Sequence, residues 1–116
     1  MAPGVALSRP ADGVGQILID APPRNVGSTA LFAQVDRALA ELREGGARVV
    51  VVGSAVPGYY VAHGSLTEIV AMFGEGRFGD DPTAHARVLR ELDLGAMVSI
   101  AAVDGQAWGG GAELAW

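Results

Sequence analysis

The segment Ile100 to Trp116, IAAVDGQAWGGGAELAW, constrains the fold more than any other stretch of the chain. Its apolar start, Ile100-Ala101-Ala102-Val103, has strand character and breaks at Asp104-Gly105. Gln106-Ala107-Trp108 leads into the glycines Gly109, Gly110 and Gly111, and then into Ala112-Glu113-Leu114-Ala115, whose composition favours helix. A strand that passes through a glycine-rich turn into a helix start leaves backbone N–H groups without intrahelical acceptors. Such a turn can hold an anion, and Glu113 in the first helical turn sets a carboxylate beside it. That pairing suits chemistry in which a carbonyl oxygen gains negative charge while a nearby acid or base moves a proton.

Other readings of the triplet stay open at this point. A phosphate-binding P-loop would need a following Lys-Ser/Thr, which is absent. A dinucleotide fingerprint would need G-x-G-x-x-G spacing near the first strand, which fails. Close packing of helix on strand is an equally ordinary reason for glycines. The turn His63-Gly64-Ser65 repeats the design: strand, glycine, helix N-terminus. Two such turns could aim two N–H groups at one oxygen, or Gly64 could merely permit a tight turn while Ser65 caps its helix. His63 and His85 have no Cys, His or Asp at ligand spacing, so no metal is expected. No G-x-S-x-G elbow supports a hydrolase triad.

Around these turns the pattern alternates strand and helix. Val5–Ser8 and Gly15–Asp20 read as a hairpin around a turn at Pro10 to Gly13, and Pro22-Pro23-Arg24-Asn25 as an irregular loop. Ser28 is placed to cap a helix running to about Glu44, with Leu31, Val35, Leu39 and Leu42 on its apolar face and Gly45-Gly46 ending it. Arg48 to Gly53 reads as a strand buried on both faces. Tyr59 to Ala62 forms another short strand, and Ser65-Leu66-Thr67-Glu68 is a capping box opening a helix through about Phe73. Gly74 to Asp80 is expected as a loop, with Asp81 as N-cap and Pro82 at the first helical position of the next helix. Val88, Leu89 and Leu92 form that helix's apolar face, and Val98 to Val103 is the last strand. The order is that of an α/β fold.

Half of the 116 residues are hydrophobic and 18% are charged, which requires a packed core rather than a disordered chain. The net charge of −5, with all eight basic residues being scattered arginines, argues against nucleic acid as a partner. Without cysteine, disulfide and thiolate chemistry are excluded. No apolar run reaches the roughly 20 residues that span a bilayer, and the start lacks a signal-peptide pattern. No membrane association and a cytoplasmic location are therefore expected.

Taken together these residues resemble the crotonase (enoyl-CoA hydratase/isomerase) superfamily over nearly the whole chain. The family signature IAAVNGxAxGGGxELA is matched by Ile100 to Ala115, with Asp104 in place of the usual Asn. The P-x-x-N-A segment is matched by Pro22 to Val26, and the F-x-A-G-A-D-L turn by Tyr60 to Leu66. In that turn His63 replaces a glycine and Ser65 an aspartate. The resemblance implies a spiral of ββα units, of which residues 1–116 would be one domain forming the N-terminal half, truncated at its C-terminus.

The resemblance further implies an acyl-CoA or enoyl-CoA thioester as ligand, with coenzyme A as part of the substrate and no separate cofactor. Its carbonyl would lie in an oxyanion hole made by the Gly64 and Gly110 amides, with Glu113 as catalytic acid/base adding water or shifting the double bond. Arg24, Val26, Ala62, Ser65 and Leu66 fall where the family lines its CoA pocket. Homo-oligomers, trimers or hexamers in the family, are implied too. The second glutamate used by hydratases belongs to a region beyond the residues present. The alternative function is a non-catalytic crotonase-like remnant that binds acyl-CoA weakly or acts only in assembly. In either case Val35, Leu39, Val88 and Leu92 are expected to face cores that only a complete fold closes.

Overall fold

In the computed structural model, which describes residues 4–76 and 83–116, ten elements follow one another as β-β-α units with one extra helix. The first unit is β1 (Gly4–Ala11), β2 (Val14–Asp20) and α1 (Thr29–Glu44). The second is β3 (Val49–Ser54), β4 (Tyr59–Val61) and α2 (Leu66–Gly74), followed by α3 (Ala84–Leu94). The third is β5 (Val98–Ala101), β6 (Gln106–Ala107) and α4 (Gly110–Ala115).

The strands divide into two sheets. The larger has the order β1-β2-β3-β5, with β1 antiparallel to β2 and the rest parallel; β4 and β6 form the smaller, also parallel. Each of the second and third units thus gives its first strand to one sheet and its second strand to the other. Two consequences follow for the site. Parallel neighbours end at the same side, so the turns leaving β4 and β6 emerge together. Each turn opens directly into a helix.

The local reasons are those of the sequence, with five differences. The hairpin turn is Asp12-Gly13, not Pro10 to Gly13, because β1 is an edge strand and Pro10 needs no ladder partner there. β3 buries Val50 and Val52 but leaves Val49 and Val51 half-buried, so it is covered well on one face only. The last apolar run splits: β5 stops at Ala101, and Gln106-Ala107 forms β6 by pairing with β4. The α2 helix extends to Gly74, and α3 begins at Ala84 with Thr83 as its cap. The expected loop to Asp80 and the Asp81-Pro82 cap fall partly or wholly outside the described residues.

The fifth difference concerns the core. Ile17, Ile19, Val50 and Val52 of the large sheet pack under α1, which contributes Leu31, Phe32, Val35, Leu39 and Leu42. Val35, Leu39 and Val88 are fully buried here, since α3 lies across α1, and only Leu92 of the expected four is half-buried. They do not wait for further chain.

Asn25, the one buried polar side chain among the described residues, holds the loop between β2 and α1. Its Oδ1 accepts from the Ala21 amide at 2.7 Å, and its Nδ2 donates to Ser54 Oγ at 2.7 Å and the Tyr60 carbonyl at 2.8 Å. The Pro22–Pro23 peptide in this loop is cis, and Asn25 itself has a φ of 51°. A buried amide with every polar atom used fixes its surroundings, because any displacement strands several groups away from water. The loop is therefore locked against β4, close to the first glycine turn.

Candidate active site

The first turn is set by Gly27, which pairs with Gly64 as an isolated parallel bridge. The Gly27 amide donates to the His63 carbonyl at 2.7 Å, and the Ser65 amide donates to the Gly27 carbonyl at 3.1 Å. In such a bridge the middle residue's own groups point to the other side. The Gly64 N–H thus faces away from Gly27, and it has no acceptor among the described residues. The peptide unit it belongs to is polarised, since its carbonyl, that of His63, already accepts a short hydrogen bond. His63 Nδ1 donates to the Gly64 carbonyl at 2.6 Å, which holds the imidazole beside the turn.

In the second turn each glycine has a different reason. Gly109 has a φ of 50° and a ψ of −121°, a backbone conformation that side chains disfavour. At Gly111 a Cβ would run into the Val61 carbonyl, so only a glycine lets α4 lie against β4. A Cβ on Gly110 would come 4.0 Å from the Gly64 nitrogen and 3.3 Å from His85 Nε2. The Gly110 amide opens α4, so it has no intrahelical acceptor. The two glycine turns therefore approach each other closely, and neither the Gly64 nor the Gly110 amide has an acceptor among the described residues.

Both turns line one cavity of about 580 Å³, mostly apolar, together with Ser65, Leu66, Phe32, His85 and Glu113. Glu113 is about half exposed, and its Oε2 lies 3.4 Å from His85 Nε2. Phe32 meets the His85 ring edge-on, with centroids 4.5 Å apart. Of the residues singled out in the sequence, Gly64, Ser65, Leu66, Gly110 and Glu113 share this cavity. Arg24, Val26 and Ala62 do not line it; the Ala62 amide donates to the Arg24 carbonyl at 3.1 Å, which joins the residue after β4 to the loop that carries Asn25. Sequence reasoning considers His85 only as a metal ligand, and rejects it as one. It reaches the site through the packing of α3 on α4, which no local motif encodes.

The capping box is half formed. Ser65 Oγ accepts from the Glu68 amide at 3.4 Å, but the Glu68 carboxylate turns to α1, accepting from Thr29 N at 2.8 Å and Thr29 Oγ1 at 3.0 Å. One carboxylate thus ties the start of α2 to the start of α1, on the rim of the cavity.

The family model described as enoyl-CoA hydratase/isomerase matches residues 9–116. The chain belongs to this family. It is 36% identical over 112 residues to the mitochondrial enoyl-CoA hydratase domain-containing protein 2 of Bos taurus, covering 95% of this chain and 38% of the relative. The Mus musculus protein of the same name is 35% identical over the same coverage. The chain therefore spans well under half the length of these curated relatives. Both are named as mitochondrial, so they lend no support to the cytoplasmic expectation.

Among solved structures, Pseudomonas aeruginosa AtuE superposes with a TM-score of 0.77 at 25% identity, over 95% of this chain and 43% of that one. Human mitochondrial delta3-delta2-enoyl-CoA isomerase superposes with a TM-score of 0.73 at 24% identity, over 96% and 43%, a likeness of fold. The fold is the crotonase fold, represented by its N-terminal half. No helix among the described residues is long and apolar enough to cross a membrane.

Proposed function

We propose that this chain binds an acyl-CoA thioester with the carbonyl oxygen between the Gly64 and Gly110 amides, and that Glu113 moves the proton in hydration or double-bond isomerisation. The observation that carries the reading is that Gly64 and Gly110, from separate turns and with amides that have no acceptor among the described residues, line one cavity with the carboxylate of Glu113. A thioester whose C2 proton is removed becomes an enolate, and its charge collects on the carbonyl oxygen. Donors fixed in advance at that oxygen stabilise the transition state without reorganisation, and each is worth about 3 kcal/mol. In the same reading Ser65 and Leu66 line the pantetheine side, Ala62 and Val26 belong to the CoA pocket, and the exposed Arg24 offers a cation to the CoA phosphates. Self-assembly into homo-oligomers, as implied by the family, belongs to the same proposal.

Turnover by this chain is the more demanding part. The Glu113 side chain is 52% exposed, and water around a carboxylate weakens its electrostatic leverage. That observation favours a second reading, a chain that holds acyl-CoA without converting it. Exchange of the C2 proton needs one base, whereas hydration needs an acid and a base, so exchange is the better first assay.

Amide hydrogen exchange tests the binding mode. Butyryl-CoA is expected to protect the Gly64 and Gly110 amides while ADP does not. Equal protection by both ligands would reassign the turns to phosphate and remove the thioester role. Glu113→Gln, which keeps shape but cannot cycle a proton, is expected to leave that protection intact and lower C2 exchange of butyryl-CoA in D2O by about 10²-fold or more.

A further inference from the structure

Two side chains from different helices converge beside the glycine amides, and only one of them has a role so far. His85, on the first turn of α3, projects into the same cavity as Glu113 of α4. Its Nε2 is shielded from solvent and has no hydrogen-bond partner among the described residues, an arrangement that a polar ring atom does not adopt without cost. The nearest charged atom is Glu113 Oε2 at 3.4 Å, within ion-pair reach but outside hydrogen-bond geometry. Phe32 packs edge-on against the ring and favours this orientation. Gly110 lies close by as well: a Cβ built there would be 3.3 Å from Nε2.

We infer that His85 is a positioning residue for Glu113, its Nε2 steering the carboxylate over the space beside the Gly64 and Gly110 amides. The inference rests on the acyl-CoA reading above. A glutamate on the short α4, half exposed, has three rotatable bonds and no other charged partner among the described residues. Left free, its oxygens spend most of their time in solvent. A donor oriented by Phe32 restricts them to the cavity side, and misplacement of a reacting group by about 1 Å can cost 10²-fold in rate. A Cβ at Gly110 would sit 3.3 Å from Nε2, so a side chain there would crowd the His85 ring.

The test uses the whole chain and two arms. In the first, ring ¹⁵N signals of His85 are recorded at one pH in wild type and in Glu113→Gln. The dyad requires the Nε2 signal to shift clearly while the His63 ring does not. An unchanged His85 ring overturns the proposal. In the second arm, His85→Phe keeps the aromatic packing against Phe32 and removes the nitrogen, while His85→Gln keeps a donor near the Nε2 position. With butyryl-CoA C2 exchange as the readout, His85→Phe is expected to lose about 10²-fold in kcat with KM nearly unchanged, and His85→Gln to recover much of that loss.

A phenylalanine variant with wild-type kcat, or equal losses in both variants, overturns the positioning role. If wild type neither exchanges C2 protons nor binds the thioester, the functional reading fails, and the ¹⁵N arm alone decides whether His85 and Glu113 are coupled.

Discussion

Tyr60 is fully buried with a hydroxyl that has no hydrogen-bond partner among the described residues, whereas Asn25, which bonds to the Tyr60 carbonyl, has all its polar atoms used. Burial pushes the Tyr60 phenol up from its ordinary 10 to about 12. The neutral form is thus favoured in the folded chain. Below pH 10 both states carry a neutral phenol, and the contribution to stability is fully present. Between pH 10 and 12 the unfolded chain ionises while the folded one resists, so stability falls, and above 12 the contribution is gone. The loss amounts to at most about 3 kcal/mol, because each tenfold change in proton affinity between the two states is worth about 1.4 kcal/mol. Tyr60→Phe is expected to remove this alkaline loss and to change stability at pH 7 by no more than about 1 kcal/mol, because no bond is broken. Urea midpoints at pH 7 and 11 check it; the same alkaline slope in both proteins would assign the loss elsewhere. Neither residue's role was legible in the sequence. Tyr60 reads as one aromatic in a short strand, and Asn25 as part of an irregular loop, because their partners come from separate strands.

At the scale of elements the legible features were those written in local chemistry. Ser28 caps α1, accepting from the Leu31 amide at 3.1 Å, and the helix ends at Gly45-Gly46 as its composition requires. The split of the last apolar run was hidden, since a two-residue strand has no periodicity and exists only by pairing with β4. The candidate site was legible as two separate glycine turns, but their meeting is a product of sheet topology. The capping box shows how a correct motif can serve a different partner. Ser65 performs its half, while Glu68 reaches across to Thr29. Glu68→Ala is accordingly expected to cost about 0.5–1 kcal/mol, the usual range for a lost cap, discounted for its exposure. The effect should register as faster hydrogen exchange at Thr29 and the amides that follow it. Fraying confined to the start of α2 would restore the ordinary capping box and refute the cross-helix tie.

For the whole molecule, the question is where apolar surface remains after the core has closed. It does not remain between α1 and α3, where Val35, Leu39 and Val88 are sealed. It lies instead along β5, the edge of the large sheet, where Val98 is 63% and Ile100 50% exposed. Leu94 and Trp116 extend it around a cleft of about 960 Å³ bounded by α3, β5 and α4. Glu113 lines this cleft as well as the glycine cavity, so whatever covers one side bears on the other. An apolar edge strand with unpaired backbone groups is a template for another chain, and exposed apolar patches of this kind promote association. The 116-residue chain is therefore expected to self-associate and to bind a hydrophobic dye. Sedimentation velocity across a concentration series measures the first. Ile100→Lys places a charge on the edge without touching the core, and it is expected to shift the population toward monomer while the pH 7 stability stays within about 0.5 kcal/mol of wild type. A wild-type chain that stays monomeric at every concentration and binds no dye would mean that β5 is shielded in solution. Association that survives Ile100→Lys would move the contact to another surface, with the exposed Leu66, Val70 and Phe73 face of α2 the next to be changed.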